Sequence, residues 1–309
     1  MKASTANPLP DAVTKSLAIL ASMFALAIPL AAFGQAATPC VSPTPPPGAA
    51  ALGYTQMVFC DAPKVSEIDF SADGSAAKLY AWTWYNKAPS SPSIYSDVGG
   101  ELMMDLHGGL NTETHQSKPG ILPLLRAGDG FYVEFSERIS DNNSDHWPAV
   151  WMMPQEHDGH HHDYVAGDAP GSERWLELDV DEGGFNPGHH GAAISWFGTW
   201  PNYQKVDHGN DPHSTFGLDR TQEHVFGLSY DPNGRRVTWW LDGVSVGSVS
   251  TADVPAIVNT HHYYLIMGAQ SHKLNLPYQM YVKYFSAWSS VAQSPTPNSP
   301  SGVKVQPIP

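Results

Sequence analysis

Hydrophobic and polar residues alternate with period two in a series of short runs, and nowhere does the chain sustain the 3.6-residue period of an amphipathic helix. Strands are predicted at Gln56–Phe59, Ile68–Phe70 and Lys78–Tyr85, the last with Leu79, Ala81, Thr83 and Tyr85 on one face. Further strands are predicted at Gly99–Leu106, Gly130–Ile139, Glu177–Glu182, Gly191–Phe197 and His224–Tyr230. Val237–Leu241 should pair with Val244–Val246 across Asp242-Gly243, the strongest hairpin signal in the chain. His262–Met267 and Gln279–Trp288 complete the set, while Ser91–Asp97 and Asn111–Lys118 read as loops. Many short strands divided by turn residues, with no internal repeat, argue for an all-β sandwich or barrel.

The two ends of the chain do not fit that pattern. Lys2 and Lys15 precede an apolar run from Leu17 to Phe33, and small residues follow at Gly34-Gln35-Ala36. This reads as a signal peptide over 1–36, with export of the mature chain; Pro29 and the small residues favour cleavage over a retained anchor. Residues 37–53, rich in Pro and Ala, read as a linker without internal structure, 54–290 as the β domain, and 291–309 as a disordered Pro/Ser-rich tail. Cys40 and Cys60 are the only cysteines, and in an exported protein they are expected to form a disulfide, the alternative being two free thiols.

Composition narrows the partners. A net charge of -14, from 16 basic and 30 acidic residues, disfavours nucleic acid and anionic membrane surfaces. Charged residues are only 15% of the chain, whereas 10 Trp and 13 Tyr supply flat apolar faces of the kind that neutral sugars stack on. The expected partner is a polysaccharide, bound by a monomer.

The chemistry concentrates in Glu177-Leu178-Asp179-Val180-Asp181-Glu182. On a flat strand Glu177 and Asp179 share one face, Leu178 and Val180 take the core side, and Glu182 falls on the wrong side. One extra residue, a β-bulge at about Val180-Asp181, would restore the parity and place three carboxylates in one row. Like charges so close repel, and one of them should keep its proton above the usual carboxylate range. A protonated acid beside an ionised carboxylate is what glycoside hydrolysis needs. The alternative for such a hexamer is a solvated acidic edge.

The spacing Glu-x-Asp-x-x-Glu resembles the active-site strand of glycoside hydrolase family 16, in its laminarinase-like and agarase-like branch. Upstream, Trp147-Pro148-Ala149-Val150-Trp151-Met152-Met153-Pro154 is similar to that family's Trp-Pro-Ala-x-Trp segment, and a thinner likeness runs from about Phe59 to Trp288. The resemblance implies a two-sheet β-sandwich jelly roll of the concanavalin A-like lectin and glucanase type, with a concave substrate cleft. By position in the motif it implies Glu177 as nucleophile, Glu182 as acid and then base, and Asp179 between them as the group that orients the nucleophile. It also implies a secreted retaining hydrolase acting on internal β-linkages, of β-1,3-glucan first and a galactan second, with no cofactor required; a structural calcium is common in the family, but no residue here identifies one. Two positions depart from the family pattern: Leu176 stands where Gly usually precedes the nucleophile, and Ile194 or Ser195 where many members carry a histidine.

Aromatic residues near the acids are the candidate sugar platforms. Trp147 and Trp151, four apart on a strand, point the same way, and Trp175 has the parity of Glu177. Trp200 and Trp196 are further candidates that could equally be core. His157-Asp158-Gly159-His160-His161-His162-Asp163 could hold a divalent metal but shows no fixed ligand spacing, so the loop 155–174 is expected to shape the cleft and no metal ligand is assigned. A non-catalytic carbohydrate-binding protein of the same fold and a transglycosylase are the competing functions.

Overall fold

The computed structural model describes residue 40 and residues 44–74, 76–83, 88–115, 118–157, 176–184, 193–199, 202–207, 217–251 and 253–292, with 193–199 and 202–207 described by backbone pairing alone. The chain divides into residues 1–36 and residues 37–309. The expected signal peptide and the tail from 293 lie outside the described residues, all of which belong to the second unit.

Its strands, in chain order, are β1 (Gln56–Asp61), β2 (Ile68–Asp69), β3 (Leu79–Tyr80), β4 (Tyr95–Val98), β5 (Glu101–Asp105), β6 (Gly109–Asn111), β7 (Leu125–Arg126) and β8 (Phe131–Ile139). They continue as β9 (His146–Pro154), β10 (Leu176–Glu182), β11 (Ala193–Thr199), β12 (Asn202–Asp207) and β13 (His224–Asp231). The last are β14 (Arg236–Leu241), β15 (Val244–Val249), β16 (His262–Ser271) and β17 (Gln279–Ser289). One sheet runs β15-β14-β13-β8-β17-β5-β4, with β1 also on β17. The other runs β12-β11-β10-β9-β16-β6-β3-β2, with β7 also on β16. The architecture is the two-sheet jelly-roll sandwich that the strand pattern and the resemblance led one to expect.

Alternation builds the core between the sheets. In β8 the odd positions Phe131, Val133, Phe135 and Ile139 turn inward, and they join Val150 and Met152 of β9 and Leu176, Leu178 and Val180 of β10 in one buried cluster. The opposite face of the second sheet carries its own smaller cluster, in which Trp151, Met153, Tyr264, Ile266 and Leu124 are buried together. The candidate site residues belong to that face.

The structure corrects four expectations. The strand predicted over Lys78–Tyr85 is paired only at Leu79–Tyr80. The Trp82 amide turns back to the Tyr80 carbonyl at 2.9 Å, and Thr83, expected on one face with Leu79 and Ala81, is buried over Gly109. Residues 84–87 lie outside the described residues. The loop expected over Ser91–Asp97 contains most of β4, which pairs with β5 in register Tyr95↔Met104 to Val98↔Glu101. Asn111, taken as the start of a loop, ends β6 and pairs with Ile266 and Tyr80.

The segment expected to be an unstructured linker contains one helical turn, α1 (Pro47–Ala51), begun by a Pro where no amide donor is needed. Ala49 of α1 packs with Tyr54, Tyr132 and Trp288 on the outer face of the first sheet. A Cβ at Gly48 would come within 2.7 Å of the Tyr132 ring, so only glycine lets the turn sit down. A Cys40–Cys60 disulfide joins this arm to β1.

Candidate active site

β10 is the third strand of its sheet and lies between β9 and β11. Its register against β9 runs Leu178↔Met152 and Asp179↔Trp151, then shifts to Asp181↔Val150 and Glu182↔Ala149. Asp179 and Asp181 thus oppose consecutive residues of β9, and Val180 is the extra residue of a β-bulge. Because paired residues of an antiparallel ladder share a face, Asp179 takes the face of Trp151 and Glu182 the face of Ala149. Glu177, Asp179 and Glu182 all line one shallow hollow, together with Trp147, Ala149, Trp151 and Gln270.

Local sequence sets this arrangement. Leu176, Leu178 and Val180 are fully buried between the sheets, which fixes the strand's rotation about its own axis and turns Glu177 and Asp179 outward. Leu176, which stands at the position where the resembled family usually has glycine, uses its side chain as a core contact. The bulge leaves the Asp179 carbonyl directed at the other sheet, where the indole Nε1 of Trp239 on β14 donates to it at 2.7 Å. The bulge therefore has a donor of its own, supplied from across the core.

Turning Glu182 outward has a cost on the other side. Asp181 is now directed into the core and is fully buried. Its carboxylate receives two hydrogen bonds from the Arg220 guanidinium, Nη1 to Oδ1 at 3.0 Å and Nη2 to Oδ2. Arg220 Nη2 also donates to Glu137 Oε1 at 2.8 Å. Glu137 belongs to β8, so the triad spans the two sheets. Burial pushes the Glu137 carboxyl well above its ordinary range, and the neighbouring Asp181 charge adds to this against the pull of Arg220. The triad thus sets two buried acids against one buried cation.

The site face continues across the sheet in rows. Register places Asp179, Trp151, Ile266, Asn111 and Tyr80 in one cross-strand row. Beyond β16 the face is covered by residues of 112–115 and 118–124: Leu124 packs on Trp151 and Tyr264, and a Cβ at Gly120 would lie 2.9 Å from the Tyr80 ring. Within this segment Glu113 is buried, accepts from Gln155 Nε2 at 2.8 Å, and is pushed by burial up to about 8.

Of the residues singled out in the sequence, Glu177, Asp179, Glu182, Trp147 and Trp151 come together. Trp175, Trp200 and positions 158–163 of the histidine-rich loop lie outside the described residues, as do the side chains of Ile194, Ser195 and Trp196. His157 is buried. Sequence reasoning missed Gln270, the register partner of Trp147, whose Nε2 is buried without a protein hydrogen-bond partner among the described residues. The period-two parity of β16, running Tyr264, Ile266, Gly268, Gln270, carried that information, but only once its pairing with β9 was known. It also missed His272, one residue past β16, which stacks on Trp147 with centroids 4.7 Å apart and planes at 7°.

No family profile matches the chain, and no curated protein does. Solved structures share features of its fold at low identity. The laminarinase catalytic domain from Thermotoga maritima MSB8 is 15% identical, with a TM-score of 0.45 over 64% of this chain and 81% of that one. The endo-beta-1,3-glucanase from Pyrococcus furiosus is 18% identical, with a TM-score of 0.46 over 66% of this chain and 80% of that one. A glycoside hydrolase family 16 endo-glucanase from Bacteroides ovatus is 13% identical, with a TM-score of 0.49 over 74% of this chain and 99% of that one.

Proposed function

We propose that this chain is an exported, retaining glycoside hydrolase of the family 16 type that cuts internal β-linkages of a neutral polysaccharide, β-1,3-glucan in the first place and a galactan in the second. One observation carries the reading. A bulge at Val180 brings Glu182 to the face of Glu177 and Asp179, in a hollow walled by Trp147 and Trp151. An acidic edge kept for solubility has no need of tryptophan walls or of a bulge that buries Asp181 behind it.

In this mechanism a sugar ring rests on an indole face, with its anomeric carbon above Glu177. The Glu177 carboxylate attacks that carbon while Glu182 gives its proton to the departing glycosidic oxygen, so the C–O bond breaks as the ester bond forms. Glu182, now ionised, takes a proton from water, and the hydroxide formed displaces Glu177 with net retention. Asp179 lies between the two acids in the chain. It hydrogen-bonds and orients Glu177 and keeps the charge state of that carboxyl distinct from that of Glu182.

The test is hydrolysis of a panel of β-glucans and galactans by the wild type, E177Q and E182Q. The wild type should release reducing ends with the substrate's anomeric configuration retained in the first product, and each variant should lose about a thousandfold in kcat. Wild-type rates in either variant would remove the role assignment. Tight glycan binding without product would make the chain a lectin-like binder, and products longer than the substrate would make it a transglycosylase.

A further inference from the structure

His272 touches both halves of the site. Its ring stacks on Trp147, nearly parallel, at 4.7 Å. Its Nε2 lies 3.4 Å from the carbonyl oxygen of Gly183, the residue that follows Glu182. Gly184 next to it has φ +86, and a Cβ there would fall 2.2 Å from His272 Nε2. Glycine is required at that position for both reasons, so the turn after Glu182 closes directly against the imidazole.

The ring is itself held from behind. The Asp145 carbonyl accepts the His272 amide at 2.9 Å. The Asp145 carboxylate accepts from Ser271 Oγ at 2.6 Å and from the amides of Lys273 and Leu274 at 2.9 Å each. Both neighbours of His272 are thereby fixed along with its own backbone. On the far side, the Gly183–Gly184 turn is closed in by Pro148, whose carbonyl accepts the Gly183 amide at 2.8 Å. Trp147 and Pro148 are consecutive in β9, so the strand that carries the indole also forms the second wall of the turn. Burial holds the His272 imidazole below its ordinary range, so at neutral pH it is uncharged and one ring nitrogen carries the proton that the Gly183 carbonyl can accept.

We propose that His272 is a positioning residue for the whole site: its ring sets the plane of the Trp147 indole, and its Nε2 seats the Gly183–Gly184 turn and so the height of Glu182 above the sheet. The inference rests on the reading of Trp147 as a sugar platform and Glu182 as the acid and base. Neither residue's own strand fixes both features. Trp147 stands near the start of β9 and Glu182 at the end of β10, and among the described residues each is paired on one side only, which lets a terminal side chain tilt. A single ring wedged between them couples the sugar's seat to the proton donor, which is the supporting contact that a catalytic group needs to stay within a fraction of an ångström of its working position.

Three variants of the full chain separate the two contacts. H272A removes both and should raise KM about tenfold and lower kcat about tenfold on a β-1,3-linked gluco-oligosaccharide. H272F keeps a flat ring on Trp147 but offers no donor to Gly183. Its KM should return to within about twofold of wild type while kcat stays about tenfold down. H272Q keeps a donor without a ring and should show the reverse pattern. Melting temperatures measured beside the kinetics report folding. Three variants that change melting temperature alone, or that lose KM and kcat in equal proportion, would overturn the proposal. E182Q, run alongside, keeps the two claims apart: an active wild type and an inactive E182Q uphold the hydrolase reading whatever His272 does. If the wild type releases no product, that reading fails instead. The Kd of H272A for the same oligosaccharide then decides the Trp147 half, and a wild-type Kd would overturn it.

Discussion

Arg220 grips Asp181 through two hydrogen bonds in the space between the sheets, immediately behind Glu182. The two residues are 39 apart in the chain and both are buried. The bulge that delivers Glu182 to the site pushes Asp181 inward, and a lone carboxylate there would be prohibitively unstable. Arg220 answers that charge, stacks its guanidinium 4.9 Å from the centre of the Phe226 ring, and reaches on to Glu137 of the opposite sheet. The site-bearing strand is thus fastened to both layers of the sandwich at the residue next to the proposed proton donor.

Breaking this pair on one side should be far worse than removing it altogether. R220M leaves Asp181 and Glu137 buried without a cation and is expected to lower unfolding stability by about 3–5 kcal/mol. The triple variant D181L/E137L/R220M fills the same space with apolar groups and should regain most of that loss. Urea denaturation of the two proteins decides the matter. A triple variant no more stable than R220M would mean that the triad's hydrogen-bond geometry, and not its charge balance, holds the sheets together.

Glu113 gives the chain a signed dependence on pH. Its carboxyl is pushed up to about 8 from an ordinary 4.5, first by burial and further by the Glu156 charge, against the hydrogen bonds from Gln155 and Tyr264. Between those two pH values the folded chain binds more protons at this site than the unfolded chain. The contribution is fully present below about 4.5 and is lost as pH rises through 8. In the window between, stability should fall by about 1.4 kcal/mol per pH unit through this group. E113Q keeps an oxygen for Gln155 but cannot ionise. Its denaturation midpoints should follow a flatter course over this window and exceed those of the wild type at alkaline pH. Parallel curves for the two proteins would exclude Glu113 as the source.

Trp239 offers a test of the bulge itself. Its indole N–H is a donor to the Asp179 carbonyl at 2.7 Å, reaching across the core from β14. W239F keeps most of the apolar volume and deletes the donor, which should lower stability by about 1–3 kcal/mol. Under the proposed mechanism kcat should fall about tenfold with KM little changed, because Asp179 and Glu182 lose their register while the tryptophan walls remain. A fall in stability with kcat intact would show that the bulge holds its shape without this donor.

Much of this was legible in the sequence, for local reasons. Leu and Val alternating with Glu and Asp from Glu177 to Val180 define the two faces of β10, because a strand's side chains alternate by geometry alone. The odd interval from Glu177 to Glu182 demanded an inserted residue, and the bulge lies at Val180. Two cysteines leave one possible pairing within the chain, and Cys40 and Cys60 are joined. The strand predicted beyond Tyr80 failed where a turn between Tyr80 and Trp82, a contact the alternation could not register, took the chain out of the sheet.

What tertiary structure decided is which distant residues meet. Nothing in the order of the chain says that the inward Asp181 will find Arg220, that Arg220 will also serve Glu137 at a separation of 83 residues, or that His272 will close on Trp147 and Gly184. Periodicity tells a side chain which face to take, whereas its neighbour on that face depends on which strand is laid alongside and in what register. Those are settled only when the whole sandwich packs. Alternation and parity along the chain name the acids, the strand that carries them and the kink it needs; packing of the two sheets selects what stands behind them.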